Sequence, residues 1–294
     1  MLRNCVIGIR TVLMRNVRNI ERKVIFNERY RLYVCWFLVF CAWFLAGRCD
    51  FVIKIENVSV NNWEPAIRGM RNPMSSWNKS DSDICASWYD EECSKDCLYY
   101  GSCDENTERL IAGENDLELM KKLVKAGTDH RKFMRFITVT CDITAPLYWW
   151  KEADTYKVGT VSNSCSTMHT VHKKEFVLDD FSYDQLISTC NDDSCDALVL
   201  DGTTVRVGGV DLLGLTINVL NYYRSRYLET HDKKYWWQII QLLPSSYNQR
   251  RTLMLNYEVL RNIYHARKNH KLNEWRAFCG WVETLPYSEL ITEV

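Results

Sequence analysis

A chain of 294 residues can bury a full-sized core in one domain, or in one domain with an appendage. Its 37 Lys and Arg balance 37 Asp and Glu, so no overall field draws it to nucleic acid. The 11 Trp and 16 Tyr beside only 5 Pro argue against long disordered segments, and 13 cysteines, an odd number, fit reduced cytoplasmic thiols better than a secreted disulfide framework.

The first fifty residues differ in composition from the rest. Residues 1–32 carry Arg3, Arg10, Arg15, Arg18, Arg22, Lys23, Arg29 and Arg31 against Glu21 and Glu28, and an uncharged run follows from Tyr33 to Gly47. A positive flank before an apolar stretch is the pattern of a signal anchor, although this run is shorter than the roughly 20 residues a spanning helix needs. Three readings stay open for 1–50: a membrane anchor through 33–47, a buried or partner-binding helix, or a non-native extension read through from an upstream start. The composition changes at Phe51, where the working domain, 51–294, is expected to begin.

Phe51–Val60 alternates apolar and polar residues and reads as a half-buried strand. Asn61 or Asn62 then caps a short helix through Trp63, Ala66, Ile67 and Met70. Cys85, Cys93, Cys97 and Cys103 mark an insertion near 85–103. Their spacing lacks paired C-x-x-C knuckles, which leaves free thiols or a structural metal as the alternatives and no metal as the expectation. From Glu114 a helical period places Leu117, Leu119, Met120, Leu123 and Val124 on one face, ending near Gly127. His130 beside Asp129 is a candidate oriented imidazole in a polar turn, and Phe133–Thr140 is the next expected strand.

The densest stretch runs from Asp142 to His169. Ala145-Pro146 leads through Tyr148-Trp149-Trp150 to a polar cluster of Lys151, Glu152, Asp154, Thr155, Tyr156 and Lys157. A second cluster follows, from Ser162 and Asn163 through Cys165 and Ser166 to His169. An aromatic wall beside so many hydrogen-bonding groups suits a stacked ring whose edges are held by fixed donors; a Ser- and Asn-rich surface loop is the plainer alternative. A hairpin is expected around Asp201-Gly202, and an amphipathic helix over Val210–Arg226. In the last block, Ser245–Thr252 reads as a polar turn after Pro244. A long helix follows, with Leu253, Leu255, Leu260, Ile263 and Tyr264 inside and Arg261, Arg267 and His270 towards solvent or a ligand. The arginines 250, 251, 261 and 267 could hold a phosphate or simply form a solvated face. No Walker loop, glycine-rich dinucleotide fingerprint, metal triad or nucleophile elbow occurs.

At these two blocks, within a span of roughly Phe51 to Glu283, the sequence resembles the flavin-dependent thymidylate synthases, the ThyX family. Ala145-Pro146-Leu147-Tyr148 leads at the family's spacing to Thr155-Tyr156-Lys157, where the family has Arg-His-Arg, and Cys165 and Ser166 stand at the distance of its serine. Leu243-Pro244, Tyr247, Asn256, Leu260, Asn262 and Arg267 match the last block, and His130 matches the upstream histidine. Thr167 and Ile240 stand where the family has arginines.

The resemblance implies an α/β (α+β) fold, a small mixed or antiparallel sheet flanked by helices, in a homotetramer with shared sites. It implies reductive methylation of dUMP with FAD, methylenetetrahydrofolate and NAD(P)H. Catalytic roles fall to Lys157, Cys165 and Ser166, cofactor binding to His130, Thr155, Tyr156 and Asn256, and substrate binding to Glu152, Asn163 and Arg267. Two rival readings are a protein on the same fold that binds a nucleotide or flavin without the chemistry, and a different enzyme using Cys165 as nucleophile. The expected setting is cytoplasmic, with a membrane contact only through 33–47 and no nucleic-acid partner.

Overall fold

A computed structural model describes residues 53–85, 109–187, 197–200 and 203–293. The N-terminal extension and the cysteines at 93, 97 and 103 lie outside the described residues. Four strands form the central antiparallel sheet: β1 (Lys54–Asn61), β4 (Thr138–Pro146), β5 (Val161–Ser164) and β8 (Asn248–Asn256), in the order β1-β4-β8-β5. Short pairs β2 (Asp83–Cys85) with β3 (Arg109–Ile111), and β6 (Ala197–Leu200) with β7 (Thr203–Arg206), stand apart from it. The β6–β7 pairing leaves two residues between the strands, as a hairpin around Asp201-Gly202 requires.

The helices are α1 (Trp63–Arg71), α2 (Glu114–Lys125), α3 (Leu147–Ala153), α4 (Gly209–Thr230), α5 (Lys233–Leu242), α6 (Tyr257–Arg267), α7 (Asn273–Val282) and α8 (Glu289–Thr292). The expected α+β class, an antiparallel sheet flanked by helices, is the observed one. None of the described helices is long and apolar enough to cross a membrane.

The alternation along the two central strands explains the layering. Val139, Cys141, Ile143 and Ala145 of β4 and Gln249, Leu253 and Leu255 of β8 are buried on one face. Between them, Thr138, Thr140, Asp142 and Thr144, with Arg250, Thr252 and Met254, stand on the more open face. The core face is covered largely by aromatic side chains. Trp63 packs edge-on against Tyr257 with ring centroids 5.3 Å apart, and Trp149 lies 4.7 Å from Trp275. A second cluster gathers Phe176, Phe181, Leu213, Ile217, Leu220 and Ile239 between the α4–α5 hairpin and the segment before it. There Asn221 brackets the Phe176 backbone, donating to its carbonyl at 2.8 Å and accepting from its N–H at 2.9 Å.

Three expectations are corrected. Residues 131–135 form a 3-10 turn rather than the start of a strand, and β4 begins only at Thr138. The expected polar turn at 245–252 is mostly strand β8, so Leu253 and Leu255 are sheet residues and the helix starts at Tyr257. Arg261 faces inward: it is buried, and its NH1 donates to the carbonyls of Leu290, Ile291 and Glu293, which anchors α8.

The buried ion pair of Arg71 and Asp116 ties α1 to α2. Asp116 accepts from Arg71 Nε at 2.6 Å, from Ser80 Oγ at 2.7 Å, and from the backbone N–H groups of Asp81 and Ser82 at 3.1 Å each. One carboxylate thereby fixes a loop of residues 72–82 that has no strand to hold it. Removing one partner of such a pair strands the other charge out of water, which costs about 3–5 kcal/mol. Asp116→Ala should lower the unfolding free energy by that amount in denaturant titration, whereas Arg68→Ala, at an exposed pair with Glu64, should change it by less than about 1 kcal/mol.

Candidate functional site

Helices α3 and α6 leave the sheet from opposite ends. Pro146 at the start of α3 pairs with Asn248, and Asn256 at the start of α6 pairs with Thr138, at the other end of the ladder. With seven and eleven residues the helices run about 10 and 16 Å. The nine-residue strand along which they return spans about 30 Å, so their C-terminal turns meet over the core face. The meeting brings Glu152 and Tyr156 against Arg267. Arg267 NH1 donates to Glu152 Oε2 at 2.9 Å, and Arg267 Nε to the Tyr156 hydroxyl at 2.9 Å. Trp275 Nε1 of α7 donates to the same Glu152 oxygen at 3.0 Å, and His270 Nε2 stands 3.6 Å from it. The guanidinium lies over the Trp275 and Tyr156 rings at 4.9 and 5.6 Å. Cations in the last turns of two helices also suit the negative ends of their dipoles.

Beside this cluster is a cavity of about 100 Å³, walled by Trp149, Trp150, Trp275, Phe278 and Ile263, with Tyr156, Lys157, Thr160 and Ser162 at its polar side. Two buried polar atoms of the lining, Trp149 Nε1 and Thr160 Oγ1, have no hydrogen-bond partner among the described residues. Lys157 is exposed, and no carboxylate among the described residues pairs with it. Arg251 contacts two of the lining residues, stacked 4.3 Å over Trp150 and donating from NH1 to Asp154 at 2.7 Å, and its Nε donates to Gln249 Oε1 at 3.0 Å. Gln249 in turn donates to the Cys165 carbonyl at 2.8 Å.

The residues singled out in the sequence thus separate into groups. Tyr156 and Lys157 line the cavity, and Glu152 and Arg267 join it through their bonds to Trp275 and Tyr156. Asn256 adjoins them, but its side chain caps α6 by accepting from Val259 N–H at 2.9 Å. A β-carbon on Gly159, whose φ is +79°, would stand 3.0 Å from the Asn256 side-chain nitrogen. Asn163 pairs with Thr252 across β5 and β8, which puts it on the open face, away from the cavity. Cys165 is exposed, its N–H donating to the Arg250 carbonyl at 2.9 Å. Ser166 Oγ accepts from the N–H groups of Met168 and His169 at 3.2 and 3.1 Å, so it works as a turn cap. Thr155 is exposed and donates to the Glu152 carbonyl at 2.7 Å. His130 is exposed ahead of the 3-10 turn and makes no hydrogen bond to the cluster.

Trp275 and Gln249 were not legible as site residues; the period-two pattern of Gln249, Arg251, Leu253 and Leu255 was the available signal for the second. Among the described residues no group of three or more His, Cys, Asp or Glu is placed to hold a metal ion. The other described thiols, Cys141 and Cys279, are buried, and burial pushes their pKa values up to about 12 and about 11.

No protein-family model matches the sequence, and no curated protein does. Solved structures match its fold. One is thymidylate synthase X from Helicobacter pylori with FAD and dUMP, with a TM-score of 0.50 and 14% identity, covering 82% of this chain and 96% of that one. Another is the flavin-dependent thymidylate synthase ThyX of Helicobacter pylori complexed with FAD and dUMP, with a TM-score of 0.51 and 13% identity, covering 81% and 98%. The chain therefore has a ThyX-like α+β fold.

The open face carries its own network. Asp142 accepts from Thr252 Oγ1 at 2.5 Å, Arg250 NH2 at 2.6 Å and Asn57 Nδ2 at 2.7 Å, tying β1, β4 and β8 together. The Thr252, Arg250 and Asn57 hydrogen bonds hold its pKa down, from 3.8 to about 2. A carboxylate depressed on folding adds stability that is fully present above its unfolded pKa and is lost as pH falls through the folded one. The loss therefore falls between pH 3.8 and about 2. Asp142→Asn should be less stable than the parent at neutral pH and should show a shallower fall in that acid window, as read from denaturant midpoints at several pH values.

Proposed function

We propose that the chain binds a uridine-type nucleotide of the dUMP class on its ThyX-like fold, with the pyrimidine in the aromatic cavity and the phosphate reached by Lys157, beside an Arg267 that Glu152 already pairs. The observation that carries the reading is the cavity itself. It is the size of a single ring, its walls are indole and phenyl faces, and two buried polar atoms of lining residues, Trp149 Nε1 and Thr160 Oγ1, have no partner among the described residues. A pyrimidine offers a flat face for stacking and an edge of carbonyl and N–H groups for those atoms. Lys157 supplies a charge with no counter-ion among the described residues, in the position the family resemblance assigns to its last cation. The ring is held by shape and stacking, the phosphate by charge-assisted hydrogen bonds, and the walls keep water from the ring.

FAD does not fit this cavity. Its three-ring system and diphosphate need several times the volume of a 100 Å³ cavity. The arginines near the cavity are already neutralised, Arg251 by Asp154 and Arg267 by Glu152. Thr155 and Tyr156 add no positive charge where the family has Arg-His. No redox step is therefore built on these residues.

A second reading, reductive methylation of dUMP with FAD, methylenetetrahydrofolate and NAD(P)H, is favoured by the FAD and dUMP in the solved structures of this fold. It requires the homotetramer that the resemblance implies, with a second copy completing the flavin site. Either reading places the protein in the cytoplasm and gives it no nucleic-acid partner.

The test is a titration of the full chain with dUMP followed by tryptophan fluorescence. Saturable quenching is expected, and Lys157→Ala should weaken binding by about 1.5–3 kcal/mol, roughly 10- to 150-fold, through loss of one charged contact. Absence of saturable quenching, or an unchanged affinity in Lys157→Ala, contradicts the assignment.

A further inference from the structure

We propose that Glu152 acts as an internal stand-in for the ligand's phosphate, holding Arg267 in a closed pair, and so sets how strongly the site prefers a nucleotide over its nucleoside. The proposal rests on the nucleotide reading above and names the residue that tunes it.

A phosphate is recognised best by an arginine that presents two N–H groups side by side. Arg267 has its Nε committed to the Tyr156 hydroxyl at 2.9 Å and its NH1 to Glu152 Oε2 at 2.9 Å. NH2 makes no hydrogen bond among the described residues. A forked contact through NH1 and NH2 is therefore blocked at one prong, and the blocking group is itself an anion. The blockade is built rather than incidental. The same Glu152 oxygen accepts from Trp275 Nε1 at 3.0 Å, and His270 Nε2 stands 3.6 Å away, so three elements, α3, α6 and α7, converge on one carboxylate.

The pair is also reachable: the Glu152 side chain keeps 35% of its exposure and that of Arg267 20%. That separates it from the Arg71–Asp116 pair, whose side chains keep 4% and 0% of their exposure. Trp275 is a wall of the cavity as well as a donor to Glu152. A ring entering the cavity and a phosphate displacing Glu152 would therefore act on the same indole. An uncharged nucleoside fills the cavity without disturbing the pair. A monophosphate must either leave the pair closed and rely on Lys157, or swing the carboxylate away and take NH1. With Glu152 charged, the site discriminates for the phosphate through Lys157 alone; with the charge removed, Arg267 is free to add its fork.

The experiment is a pair of titrations, dUMP and deoxyuridine, on the full chain and on Glu152→Gln. The glutamine retains the length and an acceptor for Trp275 but removes the charge. The expected result is a gain of at least about tenfold in the ratio of dUMP to deoxyuridine affinity, the order of one charge-assisted contact. Deoxyuridine affinity should itself hold to within about twofold. Glu152→Ala, with thermal melts of both variants to establish folding, should shift the ratio in the same direction. A wild-type chain that binds dUMP while both folded variants leave the ratio unchanged, or lower it, overturns the stand-in role and leaves the nucleotide reading in place. A chain that binds neither ligand overturns both.

Discussion

The antiparallel ladder between β4 and β8, from Thr138↔Asn256 to Pro146↔Asn248, is the constraint on which the rest depends. Because its partners are antiparallel, the helices that follow the two strands start at opposite ends and return towards each other over the core face. Their C-terminal turns are thereby brought into hydrogen-bonding distance, although Glu152 and Arg267 are 115 residues apart in the chain. The same pairing fixes which side chains share a face. A slip of one residue would turn Leu253 and Leu255 outward and bring Thr252 and Met254 into the core. It would also break the three-donor grip on Asp142.

The two faces of this sheet do different work. On the open face, Asp142, Arg250, Thr252 and Asn57 satisfy one another and hold three strands in register. On the core face, aromatic packing leaves a small volume unfilled, with the groups around it arranged in neutralised pairs. Arg251 with Asp154 and Arg267 with Glu152 lock the rim of the cavity at the cost of its positive field. Two charges that face each other at the edge of a protein add little net stability. Their consequence lies in what they deny to a ligand: a cation already satisfied by a carboxylate attracts a phosphate only to the extent that it can change partners.

Much of the scaffold was legible in the sequence because its signals are local. Alternation marked the first strand, the apolar spacing from Leu117 to Val124 marked α2, and Val210–Arg226 gave α4 almost to its ends. The misread segment, 245–256, shows where locality fails. Gln249, Arg250, Arg251 and Thr252 are polar residues in a central strand, and they look like a turn unless the partners that satisfy them are known. Gln249 is buried because the Cys165 carbonyl accepts from it, and Arg251 lies inward because Asp154 and Trp150 receive it. Arg261 misled for the same reason, since the carbonyls of Leu290, Ile291 and Glu293 that it bonds lie about thirty residues onward. The site was half legible. The aromatic wall and its polar sequel pointed to Glu152, Tyr156 and Lys157, and the matching spacing of the last block pointed to Arg267. Asn163 lies on the open face because strand parity decides it, and Trp275 stayed unnoticed because a tryptophan in an apolar helix looks like core until its N–H is seen on Glu152.

The proposed occupant of the cavity between Trp149 and Trp275 is a pyrimidine and not a flavin. The most direct measurement is saturation-transfer NMR on the full chain with dUMP and FAD present together. The account predicts that saturation of the protein reaches the H5 and H6 protons of the pyrimidine and leaves the flavin ring protons unaffected. Transfer to the flavin ring, or none to the pyrimidine, would contradict it.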